Sequence, residues 1–524
     1  MVAGVEIPIN KNASAMQMAE TIFGDGVQVI SASYTGDRDS SGIYTNGNAI
    51  SPGVVPGDTG VMFSTGDLNG FTNNNFFQSN LSSSTTTTSS GPNGVAGFNA
   101  AAGAPTFDAA YLDVNFIPTG DVMTMQFVFA SEEYPEFALG AFQDFFGVWI
   151  NGNLVPLSVG DGDIDPNNLN AGSNGNLFID NTQDQFNTEM DGFTLTLTLT
   201  IPVNSGVMNS IRIGIADVTD ANYDSTVLIA ANSVQTTLVA MDDTTTLFPD
   251  GSRILDLLAN DVNGTSGTLT ITHLNGQAVA AGDIVTLNSG QQIKLNADGT
   301  VTVLGDGDTE VFNFTYGVES STGQTDVGFV TVDSVPCFVA GTRIRTPEGE
   351  VAVEALRPGD LVLTKDEGAQ PLRWIGMRRV AATGAFAPIA IAADTFGRHG
   401  GLRLSPLHRV LIRDSLAELL FGEGEVLVAA RDLVNDRTVR RIEGGEVEYV
   451  HLLFDRHQLI WSEGLLTESF LPGPQTAHSF EAGIVAEIRA LFPEIDPATG
   501  AGYSPAARRM LRPFEARLLA GRAA

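Results

Sequence analysis

The 524-residue chain has a single cysteine, Cys337, so no disulfide can form within it. Basic side chains are scarce over its first two-thirds. Residues 1–336 hold five Lys or Arg against 37 Asp or Glu, whereas residues 337–524 hold 22 against 24. A front part this acidic repels nucleic acid and anionic membranes, and it suits a medium rich in salt or divalent cations. No apolar run approaches the ~18 residues of a membrane helix, so no transmembrane segment is expected. The opening Met1-Val2-Ala3-Gly4-Val5-Glu6 lacks a basic stretch followed by an apolar one, so no cleavable signal peptide is expected. No His or Cys cluster has zinc- or iron-binding spacing, and no Gly-rich loop is set to cradle a nucleotide.

What is present is strand-forming sequence. The 57 glycines and the long Ser, Thr and Asn stretches favour many short strands joined by turns. A short helix is expected from Ala13 to Phe23, and residues 82–92 read as a low-complexity loop. From Phe193 to Ile201 apolar residues alternate strictly with threonines, which predicts a strand with one buried and one wet face. Met123–Ala130, Phe145–Ile150 and Ile211–Ala216 read as buried strands, and a β-sandwich is the natural packing for so many. The expected fold class is therefore all-β and multidomain: an N-terminal sandwich, a small β spacer, a C-terminal β unit and a short helical tail. Asp161 opens a segment resembling a calcium loop, but Pro166 and Gly172 stand where glycine and glutamate are needed. Glu132, Glu133, Asp144, Asp217 and Asp224 are the acids most worth testing as calcium ligands, calcium being the one candidate cofactor.

The strings Phe127 to Phe137, containing Ser131-Glu132-Glu133-Tyr134, then Asp144-Phe145-Phe146-Gly147, Asp191-Gly192-Phe193, Ile215-Ala216-Asp217 and Tyr223-Asp224-Ser225, resemble the choice-of-anchor L domain of bacterial surface proteins. The resemblance runs over about residues 12–235 and implies a surface-exposed module, not an enzyme. Its domain is placed at 1–237. Residues 238–333 carry an Ala297-Asp298-Gly299-Thr300 turn between alternating strands and are similar to the cadherin-like or Ig-like repeats of adhesins, which implies a spacer.

The segment Val335-Pro336-Cys337-Phe338-Val339-Ala340-Gly341-Thr342, followed by Leu356-Arg357-Pro358-Gly359-Asp360-Leu361-Val362, resembles the opening of a Hint domain, the fold of hedgehog autoprocessing domains and inteins. Leu404-Ser405-Pro406-Leu407-His408 resembles that family's Thr-x-x-His block with Ser in place of Thr. Val447 to His457 resembles its late block. This domain is placed at 334–475, with a helical tail over 476–524 in which Ser504-Pro505 opens a helix carrying Arg508, Arg509, Arg512 and Arg517.

Self-processing chemistry fits these residues on physical grounds. A thiolate beside its own upstream carbonyl attacks it in an effectively unimolecular step. The departing amine is a poor leaving group and needs a positioned acid. Cys337 is the expected nucleophile, Pro336–Cys337 the scissile bond, His408 the acid and Ser405 its hydrogen-bonding partner. His457 and Asp455 are candidates to tune the site, and His451 is given a structural role. No asparagine follows at Glu468-Ser469, so intein-type C-terminal cleavage and ligation are not expected. Asp394 alone stands where a sterol-activating acid would lie, so cholesterol transfer is not expected. The resemblances together imply an extracellular or cell-surface protein, exported without a recognisable leader, whose partner is an unknown surface ligand or acceptor nucleophile. The alternative is an adhesin with an inert Hint fold.

Overall fold

Period-2 alternation needs partners on both edges of a strand, and here it finds them in antiparallel sheets. The computed structural model describes residues 2–471 apart from 139, 161, 248–251, 306–311, 334–337, 383–386, 415, 419–422 and 436, and beyond them 504, 506–511 and 516. The chain divides into two compact units. One comprises Met1–Asp243, Ile254–Thr302 and Phe312–Thr331; the other comprises Thr244–Arg253, Val303–Val311 and Val332–Ala524.

In the first unit, helix α1 (Ala15–Ile22) starts at Ser14, which caps the Gln17 N–H while the Gln17 side chain returns to the Ser14 N–H. It buries Met18, Ala19 and Ile22. The strands that matter for function are β1 (Val27–Thr35), β2 (Gly60–Ser64), β3 (Thr106–Pro118) after helix α2 (Ala96–Ala102), β4 (Val122–Ser131), β5 (Phe145–Ile150), β6 (Gly192–Thr194), β7 (Leu197–Pro202), β8 (Asn209–Val218) and β9 (Ser225–Ala230). One sheet contains the order β2-β9-β4-β6, with β7 also paired to β4; the other runs β1-β3-β8-β5 to an edge strand at Asn153–Leu154. Phe63, Phe127, Phe129 and Ile229 from the first sheet meet Leu112, Val114, Phe116 and Ile213 from the second in one core. This is the β-sandwich expected from sequence.

The threonine face between Phe193 and Ile201 departs from expectation. The run breaks into β6 and β7, and Thr194 and Thr198 are buried. The Thr194 hydroxyl accepts from the Phe129 N–H at 3.1 Å, and Thr198 lies 3.5 Å from Asp326. The face that strict alternation assigns to water thus meets residues 65 positions away at Thr194 and 128 away at Thr198. Thr124 and Gln126 reach Asp326 and the Thr325 carbonyl at 2.9 Å each, and Asn176 reaches Ser289 and the Asn313 carbonyl. Residues of the expected spacer therefore pack on the sandwich through buried hydrogen bonds. The spacer's own pairing is antiparallel, as between Leu269–Leu274 and Phe312–Ser320.

The second unit builds two further sheets around a core that includes Phe338, Ile344, Val362, Leu404, Val410, Val450 and Ile460. Its tail departs from the helical expectation over residues 506–511, whereas Ala516 is helical. Arg509–Met510 is a strand pairing in parallel with Glu425–Ala429, and the Ser504 hydroxyl accepts from the His457 N–H instead of capping a helix. Arg508 is held by Glu425 and Asp366, an ion-pair group that fixes the segment in extended form. Residues 472–503, 505, 512–515 and 517–524, with Pro505, Arg512 and Arg517, lie outside the described residues.

Candidate active site

Strand β10 (Phe338–Val339) is inserted between β11 (Leu402–Leu404) and β13 (Glu446–Leu453), with β12 (Arg409–Arg413) beginning just after a turn that follows β11. Phe338 is opposite Leu404 on one side and Val450 on the other. Central placement buries Phe338 at 1% exposure and fixes the backbone that immediately follows Cys337. Cys337 and Pro336 themselves lie outside the described residues.

Ser405-Pro406-Leu407-His408 forms a β-turn closed by the His408 N–H donating to the Ser405 carbonyl at 3.1 Å. Proline at its second position presets φ for such a turn. Because Leu404 is in register with Phe338, the turn curls back over Phe338 and carries the imidazole with it. The His408 and Phe338 ring centroids are 4.3 Å apart at 60°. His408 is 1% exposed and Ser405 3%. Among the five sequence-selected residues, His408 and Ser405 are thus brought to the strand that opens with Phe338, which follows Cys337 in sequence.

Behind this turn stands a group that sequence reasoning noted only as a departure from the intein pattern. Glu468 ends β15 (Leu465–Glu468), which pairs with β14 (Leu459–Ser462) and with β12. It is fully buried. It accepts from the Arg409 N–H at 2.9 Å and lies 3.4 Å from both the Arg409 guanidinium and His457 Nε2. Burial alone pushes its carboxyl up. The Arg409 charge, the His457 hydrogen bond and the neighbouring His408 outweigh that and hold it at about 2. Glu468 is therefore a fixed negative charge whose field reaches the His408 ring. The signal for it in the sequence was an acid closing an apolar strand, Leu465-Leu466-Thr467-Glu468.

His457 belongs to this cluster. Its Nδ1 accepts from the Ala507 N–H at 2.9 Å and its Nε2 faces the Ser469 carbonyl at 3.1 Å, which makes Nε2 the protonated nitrogen. Asp455 does not belong. It forms a bidentate pair with Arg373 at 2.8 Å on the surface, with both side chains about half exposed. Two residues before His457 in sequence, it turns outward because β13 has ended at Leu453. His451 is buried against Phe470, a packing role.

The acids of the first unit are buried rather than solvated. Glu132, Glu133, Asp144, Asp217 and Asp224 are all under 5% exposed. Burial first, then the Asp191 charge, lifts Glu132 to about 9; burial and Asp144 lift Glu133 to about 9. Burial raises Asp144 to about 7 and Asp224 to about 6, against hydrogen bonds from Ser225 and Thr87, and burial beside Asp144 raises Asp217 strongly. Among the described residues, no Lys or Arg stands among the largest influences on any of the five. Among the described residues no group of three or more His, Cys, Asp or Glu is arranged to hold a metal ion, so the calcium expectation gains no support from the geometry.

The turn carrying buried His408 is thus laid against the first strand of this all-β unit. In comparison with known families, residues 336–474 match the family model described as Hint domain, and residues 8–235 match that described as Choice-of-anchor L domain. The chain carries both domains. Among solved structures, the gp41-1 intein is 14% identical, covering 25% of this chain and 97% of its own, with a TM-score of 0.17. Extracellular domains 3–5 of Drosophila OTK are 10% identical, covering 64% of this chain and 86% of theirs, also at 0.17. No curated protein matches the chain. Among the described residues no helix is long and apolar enough to cross a membrane.

Proposed function

We propose that the Hint domain cuts the chain at Pro336–Cys337 by an N-to-S acyl shift and releases, or transfers, the acidic residues 1–336. The Cys337 thiolate attacks the Pro336 carbonyl carbon; a C–S bond forms and the C–N bond to Cys337 breaks. His408 gives a proton to the departing Cys337 amine. Water or another nucleophile then displaces the thiol from the thioester. The observation that supports this reading is the His408 ring packed against the ring of Phe338, the residue after the nucleophile, with centroids 4.3 Å apart. Buried Glu468, held ionised by Arg409 and His457, places a negative charge behind the His408 turn. With a choice-of-anchor L domain in front, the released or transferred module would be displayed outside the cell or on its surface.

Intact mass of the purified chain, with and without added thiol, tests the proposal. Fragments of 336 and 188 residues (524 − 336) that vanish in Cys337→Ala support it. A chain that stays whole under every condition leaves an inert Hint fold in a surface adhesin.

A further inference from the structure

The outer face of the β1-β3-β8-β5 sheet carries a cleft of about 840 Å³ whose lining is mixed rather than apolar. Register places its side chains in two rows. Ser33 is opposite Asp113, Asp113 opposite Arg212, and Arg212 opposite Trp149; beside them Ser31 is opposite Asn115 and Asn115 opposite Ser210. At about 4.8 Å between neighbouring strands, the first row spans roughly 14 Å.

We infer that this cleft binds a short neutral oligosaccharide. Arg212 Nε and Nη2 donate to the two Asp113 oxygens at 2.8 and 2.9 Å, and the guanidinium lies 4.3 Å over the Tyr111 ring. The pair cancels its own charge, so the cleft has no net attraction for phosphate, carboxylate or cation. It still presents polar edges: each side chain is about one-third exposed, and a carboxylate oxygen has a second lone pair. Asn115, Ser31 and Ser210 add amide and hydroxyl groups that are exposed. Trp149 supplies an aromatic surface. Its indole lies along its own strand over Gly147, where a Cβ would come within 2.4 Å of the ring, and Phe98 packs against it edge-on at 4.8 Å. Helix α2 walls one side through Gly97, Ala100 and Ala101. A pre-positioned aromatic surface beside a self-neutralised bidentate pair and a row of small polar groups matches a pyranose, whose C–H face is apolar and whose rim is hydroxyls. Clefts of this mixed kind fix orientation with few polar groups. This inference does not depend on cleavage.

The test uses the full chain carrying Cys337→Ala, labelled and applied to arrays of neutral gluco-, manno-, galacto- and xylo-oligosaccharides, with any hit titrated by calorimetry as a tetrasaccharide or hexasaccharide. At least one neutral class should bind with a micromolar to millimolar Kd. Trp149→Ala should weaken it at least tenfold, and so should Ser31→Arg, an exposed change that fills the cleft and should leave the melting temperature unchanged. Absence of binding at millimolar sugar, binding restricted to charged glycans, or equal affinity in both variants would overturn the inference. So would self-association of the chain that Ser31→Arg relieves, which would make the face a dimer contact.

Discussion

Glu468→Gln isolates the electrostatics of the Hint site. The substitution keeps shape and one acceptor oxygen but removes the charge that faces Arg409 and His457. The carboxyl sits at about 2 in the folded chain against an ordinary 4.5. At about 1.4 kcal/mol per pKa unit, its ionised form contributes roughly 3 kcal/mol at neutral pH. Because the folded value is the lower one, that contribution is complete above about pH 4.5 and is lost as pH falls toward 2. Urea unfolding of the Cys337→Ala chain, followed by tryptophan emission, measures it; Trp374 and Trp461, two of the three tryptophans, lie in this unit. Glu468→Gln should lower the unfolding free energy of the C-terminal unit by about 3 kcal/mol at pH 7, and the gap should shrink steadily below pH 4.5. A gap under about 1 kcal/mol at pH 7, or one that stays constant down to pH 3, would refute the argument that this buried charge is compensated by Arg409 and His457.

The proposed chemistry and the buried acids give three further expectations. His408→Gln should slow fragment formation by about 10²- to 10⁴-fold, the usual worth of a positioned proton donor, and an unchanged cleavage time course by mass spectrometry would remove His408 from the acid role. Asp455→Ala should leave cleavage unchanged and cost at most about 1 kcal/mol, because its pair with Arg373 is exposed; a larger loss in urea unfolding would place it in the site after all. The carboxyls of Glu132, Glu133 and Asp144 have folded values raised above their unfolded ones, so they favour folding while protonated. Stability of the first unit should therefore be greatest near pH 4–5 and decline toward pH 9, lowering its melting temperature by more than about 5 °C at ~2–4 °C per kcal/mol. Calorimetry across that range checks it, and a melting point that rises with pH, or that millimolar calcium restores at pH 8.5, would mean that ions rather than protons compensate these acids.

The sequence alone determined the class of each part. Alternating apolar residues specify sheets because successive side chains on a strand point to opposite faces, a local property. The strings around Glu132 and around Cys337 and His408 were legible as family resemblances for the same reason: each is contiguous. The turn at Ser405–His408 was readable from its Pro406, though not that Leu404 would register beside Phe338 and aim the ring there.

Tertiary structure decided everything that depended on distant pairing. Thr194 and Thr198 look wet by alternation, yet Thr194 bonds to the Phe129 N–H and Asp326 stands beside Thr198. Asp455 and His457 are near neighbours in sequence, but the end of a strand sends one to solvent and the other to Glu468. Arg508 and Arg509 suit a helix by local propensity, whereas pairing with Glu425–Ala429 makes the segment a strand. Glu132 and its companions are plain acids in sequence; only the packing of distant segments around them removes water and lifts their affinity for protons. Local chemistry set the elements, and desolvation by residues far along the chain set what their polar groups can do.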